Sequence, residues 1–210
     1  MVNEWIIVLI LGYGFGCIQT SYFISKWMMK KDIREMGSGN AGASNVTVTM
    51  GFHFGILTGI VDIMKAYCSV ISIAHLFPKS TQLAELEVLA GSAAIMGHIF
   101  PFFMNFKGGK GIACYIGLLL GLDFYMGLNI ILFLLISTVV TDFVSVGSIL
   151  IYLILPLFIL VNIDYSLISF LIFVVVGAVG IFKHWINVKR LIACEEIGLR
   201  STMRKEHVAE

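Results

Sequence analysis

Charged residues are scarce in this chain of 210 residues: 13% are Asp, Glu, Lys or Arg, whereas 59% are hydrophobic. A soluble domain carries about 25% charged and about 45–50% apolar residues. So few charges cannot cover a water-exposed surface, which excludes an ordinary soluble protein and predicts the lipid bilayer as the solvent. The formal net charge of +1 indicates no partner by itself, and we expect no nucleic-acid partner.

Paired cysteines and metal-ligand spacings are also missing. The four cysteines lie far apart and form no Cys-x-x-Cys pair, so we expect four reduced thiols that pack as small apolar groups. The five histidines are scattered along the chain, without the spacing of a metal site. The sequence therefore predicts neither a metal nor another cofactor.

The sequence contains several long hydrophobic runs that have few charged residues. A spanning helix needs about 20 mostly apolar residues. The candidates are Trp5–Ser25, Phe52–Phe77, Ala84–Phe103, Ile112–Leu122, Met126–Val140, Val146–Asn162 and Tyr165–Phe182. The fourth and fifth are short and are compatible with one helical hairpin. An acidic N-terminus precedes the first, which favours a retained helix over a signal peptide. The sequence predicts an all-α, polytopic membrane protein with about seven transmembrane helices.

The basic residues indicate how the chain is oriented. With the N-terminus outside, the internal loops are 26–51, 104–111, 141–145 and 183–210. They contain 12 of the 14 Lys and Arg residues, with four, two, none and six in that order. Because basic residues concentrate on the cytoplasmic side, the C-terminus and these loops are predicted to face the cytoplasm. We expect one membrane domain over residues 1–200, a polar tail over 201–210, and residence in the plasma membrane.

The first chemistry-bearing segment is the loop GSGNAGASN, residues 37–45. Glycines at this density allow positive φ angles, and successive backbone N–H groups can then form a concavity that binds an anion. Ser38 and Asn45 add side-chain donors. The alternative is a flexible connector between two helices. The loop is not a Walker A motif, because the following Lys-Ser/Thr is missing.

The second segment joins Gly97-His98 to the run KGGKG at residues 107–111. Glycines allow a ligand to approach the backbone, and Lys107 and Lys110 supply charge for phosphate. A helix that begins near Gly111 would add its positive end. The alternative is an ordinary positive-inside anchor with a Gly-Gly turn. A lone histidine such as His98 is typical of a hydrogen-bonded interface residue.

Two further features carry charge beside or within the spans. Asp62 and Lys65 lie three residues apart inside a predicted span, a spacing typical of a pair on one helix face. The stretch from His184 to Arg190 follows the last span with polar residues at helical spacing. It fits either a site segment or an amphipathic helix that lies on anionic headgroups.

Together, GSGNAGASN, GHIFPFFMNFKGGKG and HWINVKRLIACEE resemble the three cytoplasmic motifs of the bacterial acyl-phosphate:glycerol-3-phosphate acyltransferases. The resemblance spans almost the whole chain. It implies a membrane enzyme that moves a fatty acyl group from acyl phosphate to the 1-hydroxyl of glycerol 3-phosphate, which gives lysophosphatidic acid and phosphate. The catalytic residues implied are Ser38, His98, Lys107, His184 and Glu196. The implied substrate- or phosphate-binding residues are Gly37, Gly39, Asn40, Asn45, Gly108, Gly109, Lys110, Gly111, Ser145 and Asn187.

The chain departs from the family pattern at four positions. Arginines of the family are replaced by Val48 and Asp142, a glycine is replaced by Cys194, and Ala41 stands where Pro or Val is usual. Because a guanidinium pairs phosphate in a bidentate manner, one such loss is expected to cost roughly ten- to a hundred-fold in affinity or rate. Three alternatives stay open: a relative with another acceptor, an inactive lipid- or phosphate-binding protein, or a small-solute transporter.

Acyl phosphate is already activated, so its transfer requires no covalent enzyme intermediate. The remaining work is to position two substrates, remove a proton from the attacking hydroxyl and stabilise developing charge. We expect Ser38 to donate a hydrogen bond rather than to attack. His98, His184 and the substrate's own phosphate are all candidate proton acceptors. Acyl-chain length and oligomeric state are left open by the sequence.

Overall fold

The computed structural model describes residues 2–161 and 166–201. Every element in this part of the chain is helical, which confirms the all-α prediction. The α-helices are α1 Val2–Gly16, α2 Thr20–Met29, α3 Ala43–Met50, α4 Phe52–Leu76, α5 Leu83–Ile99, α6 Ile112–Leu122, α7 Phe124–Thr141, α8 Val144–Val161, α9 Leu167–Lys183 and α10 Trp185–Ile192. Short 3₁₀ helices cover Ile33–Glu35 and Phe102–Met104.

Five described segments are long and apolar enough to cross a bilayer: Asn3–Met29, Phe52–Leu76, Leu83–Met104, Phe124–Thr141 and Val144–Val161. A sixth results if α9 and α10, bent by 46°, form one span, and α6 is a shorter apolar helix. A polytopic membrane protein is thereby confirmed, whereas seven spans and the orientation stay predictions. The predicted span ends at Asn162 and Tyr165, and the tail from residue 202 onward, lie outside the described residues.

The chain divides into two compact units, Met1–Gly127 and Leu128–Glu210. The first contains α1 to α6, and the second contains α8 to α10 with most of α7. One membrane domain over residues 1–200, followed by a tail, stays a prediction.

Small residues allow the helices of the first unit to approach closely. α1 packs along α5, and α4 packs against α3, α5 and α6. A Cβ on Gly16 would overlap the carbonyl oxygen of Ala94 on α5, and one on Gly117 would overlap the carbonyl oxygen of Ile63 on α4. Because lipid gives helices no hydrophobic reason to associate, such backbone proximity is what holds membrane helices together.

A buried glutamine marks the break between α1 and α2. Gln19 is fully buried, and its Nε2 lies 3.3 Å from the carbonyl oxygen of Gly16 and 3.0 Å from that of His98. A helix break leaves carbonyl groups that the bilayer cannot satisfy, so a side-chain donor at this depth offsets their cost. The break therefore ties the first span to the end of α5.

In the second unit, α8 packs against α9. The contact is close because Gly177 and Gly180 of α9 lie against Tyr152 of α8. A Cβ on Gly180 would overlap the Tyr152 ring, so the fully buried tyrosine occupies space that only glycine leaves open.

Candidate active site

Asn45 fastens the first glycine-rich loop. Its buried Nδ2 donates toward the carbonyl oxygens of Ile33, Met36 and Asn40 at 3.1, 3.0 and 2.9 Å. Its Oδ1 accepts from the backbone N–H of Ser38 at 2.8 Å. One amide therefore uses both its donor and its acceptor side to shape the loop. Asn45 is committed to the loop's own backbone.

The glycines of this loop adopt the expected conformation, but two N–H groups point inward. Gly37 and Gly39 have φ angles of +55° and +77°, as the sequence predicts. The Ser38 N–H binds Asn45, and the Gly39 N–H donates to the carbonyl of Met36 at 3.0 Å. The arrangement therefore differs from the expected concavity at these two N–H groups, because they close the loop instead. The partly exposed side chains of Ser38 and Asn40 remain as candidate donors.

The Gly-Gly turn of the second loop lies on the end of α5. The Gly108 N–H donates to the carbonyl of Ile99 at 3.0 Å, and the Gly109 N–H donates to that of His98 at 3.1 Å. A Cβ on Gly108 would overlap the His98 carbonyl oxygen, and one on Gly109 would overlap the His98 ring. The two glycines are therefore required by close packing on His98.

The lysines and the last glycine of this loop lie at the start of α6. Lys107 is exposed and Lys110 is partly exposed. Gly111 has a φ of +89°, and α6 begins at the next residue, Ile112, as the sequence predicts. Because the first N–H groups of a helix carry partial positive charge, a second source of positive potential lies beside the lysines.

Arg34 joins the two loops, a role that sequence reasoning missed. Its Nε and Nη2 bind both carboxylate oxygens of Asp32, at 3.0 and 2.7 Å. Its Nη1 donates to the carbonyls of Met104 at 2.6 Å and Lys107 at 3.3 Å. The Asp-x-Arg spacing in the sequence could have indicated this role, because it allows one guanidinium to bind a carboxylate and still donate to further acceptors.

The Asp32–Arg34 pair lies outside the spans and is electrostatically strong. The hydrogen bond from Arg34 lowers the pKa of the Asp32 carboxyl below its usual range. The same hydrogen bond raises the pKa of the Arg34 guanidinium. Both groups therefore stay charged in neutral solution, and the salt bridge between them is kept there.

His98 joins the predicted Asp62–Lys65 pair as a third group. Nζ of Lys65 lies 2.7 Å from Oδ1 of Asp62 and 2.9 Å from Nδ1 of His98, and all three side chains are buried. Nζ also donates to the carbonyl of Ile18 at 2.7 Å, within the break between α1 and α2. The ion pair is thus bound to two other elements of the first unit.

A set of metal-ligating atom types lies in the same cluster. One ligand atom each from Asp62, His98 and Cys114 falls within 4.8 Å of the others. The ammonium of Lys65 lies next to two of the three residues, so a cation of the protein itself already meets the carboxylate and the imidazole. A second cation here would be repelled at short range in a medium of low dielectric constant.

In the second unit, the third motif is folded upon itself. Nδ1 of the buried His184 lies 2.8 Å from the carbonyl oxygen of Gly180, and its ring lies 5.8 Å from that of Tyr152. Nδ2 of Asn187 donates to Oε1 of Glu196 at 2.6 Å. Glu196 therefore orients Asn187 from beyond the end of α10. Sequence reasoning placed all three in one motif but did not show this pairing.

Ser145 and Asp142 flank the turn into α8. Ser145 is buried in the first turn of that helix. Asp142, at φ +72°, accepts at its carbonyl from the Leu199 N–H and at Oδ1 from the Arg200 N–H, each at 2.8 Å. The side chain of Arg200 reaches the carbonyl of Val139 at 3.0 Å. Asp142, which replaces an arginine of the family pattern, therefore holds the segment after α10.

The model of the family described as glycerol-3-phosphate acyltransferase matches residues 6–194. The chain belongs to this family. A glycerol-3-phosphate acyltransferase of Pelagibacter ubique is 34% identical over 193 residues, which cover 92% of this chain and 96% of that one. Glycerol-3-phosphate acyltransferase 1 of Oceanobacillus iheyensis is also 34% identical, and the alignment covers 96% and 98%.

Two crystal structures of PlsY (YgiH), an integral membrane glycerol 3-phosphate acyltransferase, share the fold of this family member. The glycerol 3-phosphate form superposes with a TM-score of 0.82 at 30% identity, and covers 93% of this chain and 95% of that one. The lysophosphatidic acid form gives 0.79 at 28% identity, with coverage of 94% and 96%. The predicted family is confirmed, and with it the prediction of a membrane acyltransferase.

Proposed function

We propose that this acyltransferase transfers a fatty acyl group from acyl phosphate to the 1-hydroxyl of glycerol 3-phosphate, which releases phosphate and lysophosphatidic acid. The observation that carries the proposal is the Arg34 bridge, which joins the 3₁₀ helix just before the GSGN loop to the loop of Lys107. The forms of PlsY named for glycerol 3-phosphate and lysophosphatidic acid support the choice of acceptor and product.

Phosphate binding in the first unit is assigned to groups that the fold leaves exposed. Lys107 is exposed, and Ser38 is partly exposed. Arg34, in contrast, is occupied by Asp32 and two carbonyls. Because lysine is a compact charge on a flexible stem, Lys107 can follow a phosphate that moves during the reaction. Ser38 then supplies a hydrogen bond, as the sequence predicts.

Of the candidate proton acceptors, His98 is the one that is already engaged within the first unit. Its Nδ1 faces the ammonium of Lys65, a group that only donates. His184 and the substrate's own phosphate are therefore the two groups to which we assign removal of the acceptor's proton. Asn187 and Glu196, in the same motif as His184, are assigned to orienting the substrate.

The proposal places the reaction at the cytoplasmic face of the plasma membrane. The basic loops that carry Lys107 and the third motif are those that the positive-inside rule assigns to the cytoplasm. Both substrates carry phosphate, so their headgroups meet these loops from the water while the acyl chain stays in the bilayer. Both phosphates are negatively charged, so the basic residues on this side match both donor and acceptor.

A second candidate is a relative with another acceptor. It is favoured by Val48, an exposed apolar residue on α3, 42% exposed, at a position where the family pattern has an arginine. A side chain without charge there reduces the positive field that glycerol 3-phosphate would meet. An acceptor with less negative charge would be affected less.

The test is phosphate release by the purified protein from palmitoyl phosphate, with and without glycerol 3-phosphate. We expect release that depends on the acceptor and that falls at least about tenfold in Lys107→Ala and Ser38→Ala. Lys79→Ala, at an exposed position in another loop, is the matched control. Release that ignores glycerol 3-phosphate would favour another acceptor or hydrolysis, and no release from folded protein would refute acyl transfer.

A further inference from the structure

We propose that Lys65, with Asp62, is a positioning residue for acyl transfer: it fixes the His98 ring, on which the Gly108–Gly109 turn beside Lys107 lies. The inference rests on the proposed function for its kinetic consequences, but its structural content concerns the protein without substrate. The described contacts of Lys65 are with protein groups, and in the proposal it acts through His98.

The burial of the pair calls for an explanation. The side chains of Lys65 and Asp62 are only 2% and 3% exposed within a membrane-spanning helix. Ionisable groups at this depth are costly, and an apolar pair of similar size would hold two helices together at lower cost. A charged pair that is retained here is therefore expected to fix something that apolar packing cannot.

The ammonium of Lys65 has one acceptor atom close by for each of its three N–H bonds. These are Oδ1 of Asp62 at 2.7 Å, Nδ1 of His98 at 2.9 Å and the carbonyl oxygen of Ile18 at 2.7 Å. Nδ1 of His98 also lies 3.4 Å from Oδ1 of Asp62, so both members of the pair meet the same edge of the ring. Because an ammonium only donates, the shorter contact with Lys65 assigns Nδ1 the role of acceptor in our proposal. The imidazole is then neutral, carries its proton on Nε2, and cannot turn over without loss of this bond.

The opposite edge of the ring is where the turn lies. A Cβ on Gly109 would meet Nε2, Cε1 and Cδ2 of His98, so the backbone of Gly109 lies directly against that edge. The His98 carbonyl accepts from the Gly109 N–H at 3.1 Å. The ring and the backbone carbonyl of His98 thus fix the position of the turn. Lys107 precedes Gly109 by two residues, so its position depends on the same contacts.

The first readout is the tautomer of His98 in the full chain, measured by NMR in detergent with ¹³C,¹⁵N-labelled histidine. The His98→Asn spectrum assigns the signal. We expect a neutral ring with the proton on Nε2. A ring protonated on Nδ1, or an imidazolium, in the unsubstituted protein would overturn the proposal. This measurement requires no substrate.

The second readout is kinetic, with variants that leave no buried charge unpaired. Lys65→Met combined with Asp62→Asn removes both charges. In this double variant we expect the His98 ring to populate both neutral tautomers rather than the Nε2–H form alone. The KM for glycerol 3-phosphate should rise about tenfold, with kcat changed less than about threefold, because a misplaced Lys107 weakens binding first. Lys79→Met is the control. Wild-type KM and kcat in a folded double variant would overturn the proposal.

A third variant tests the same contact from the other side. Gly109→Ala places a methyl group against the His98 ring and leaves the charges intact. It should reproduce the rise in KM, even if the double variant fails to fold; an unchanged KM would refute the role of the turn. Failure of the proposed function looks different: the unsubstituted protein would show the expected tautomer but no release that depends on glycerol 3-phosphate.

Discussion

Nη1 of Arg34 lies 3.3 Å from the main-chain carbonyl oxygen of Lys107, 73 residues further along the chain. The same nitrogen is 2.6 Å from the carbonyl oxygen of Met104. A cationic side chain just before the first loop therefore fixes the backbone of the second, beside the lysine assigned to phosphate. Arg34 binds protein groups, whereas Lys107 is the basic residue that we propose for the substrate.

Arg34→Lys should weaken this bridge without removal of the charge. A lysine cannot bind both oxygens of Asp32 and also reach two carbonyls, because it lacks the planar fork. We expect the KM for glycerol 3-phosphate to rise about tenfold, measured by phosphate release. Lys79→Arg is a control at an exposed site. If Arg34→Lys has the KM of the unsubstituted enzyme, the bridge does not position Lys107.

Acid should unfold the first unit partly through Asp32. The Arg34 hydrogen bond holds the pKa of this carboxyl below its usual value, so its contribution to stability is complete above about pH 4 and is lost as the pH falls through the lower, folded-state pKa. Asp32→Asn should therefore reduce the difference between the thermal midpoints at about pH 6 and about pH 3. Equal acid sensitivity of the two proteins would contradict this prediction.

Glu196 should matter through Asn187. The hydrogen bond of 2.6 Å joins a buried amide to a partly exposed carboxylate, so Glu196→Ala removes a contact that orients Asn187. We expect kcat/KM to fall about ten- to thirtyfold, and Glu196→Gln to recover part of the loss because its amide oxygen still accepts. The exposed neighbour Glu195→Ala is the matched control. If Glu196→Gln and Glu196→Ala lower kcat/KM equally, Glu196 contributes its charge rather than the orientation of Asn187.

Val48→Arg should restore positive charge on α3. Val48 is exposed, so an arginine fits there without repacking. If glycerol 3-phosphate is the acceptor, its KM should fall about three- to tenfold in phosphate release, and the gain should shrink at high salt. Val48→Gln controls for side-chain length. A gain with Gln equal to that with Arg would exclude charge as the cause.

Asp142→Arg, in contrast, should not restore activity. The Asp142 carboxylate accepts from the Arg200 N–H, so an arginine here loses this contact, whereas the main-chain carbonyl that accepts from the Leu199 N–H is kept. We expect faster trypsin cleavage after Arg200 than in the unsubstituted protein, followed by mass spectrometry. The matched variant Asp142→Asn keeps an acceptor oxygen and should be cleaved at nearly the original rate. Equal cleavage of all three proteins would show that the contact does not protect the segment.

Local patterns in the sequence were enough for the long helices α4 to α9, for the positive φ angles of Gly37 and Gly39 and for the start of α6 after Gly111. Each depends on neighbours within a few residues, which periodicity and glycine content report directly. The break between α1 and α2 and the start of α3 at Ala43 were not predicted. The family resemblance was specific because three motifs agreed in order and spacing. The match of the family model over residues 6–194 confirms it.

Long-range partners could not be read in the same way. His98 joins an ion pair 33 residues earlier in the chain, because a tertiary contact between α4 and α5 brings them together. Asn45 looked like a ligand donor, yet its amide is used by the loop's own backbone. A polar residue beside glycines has the same sequence signature whether it binds the substrate or the chain, and only the distances separate the two.

The hydrogen bonds between the Asn45 amide and the backbone of the first loop have a thermodynamic consequence. Its hydrogen bonds are made by the protein alone, so the loop is ordered before any phosphate arrives. Conformational entropy that a slack loop would lose on association has already been lost on folding. Binding of a phosphate headgroup by this loop, as we propose, would therefore require no separate ordering of the loop.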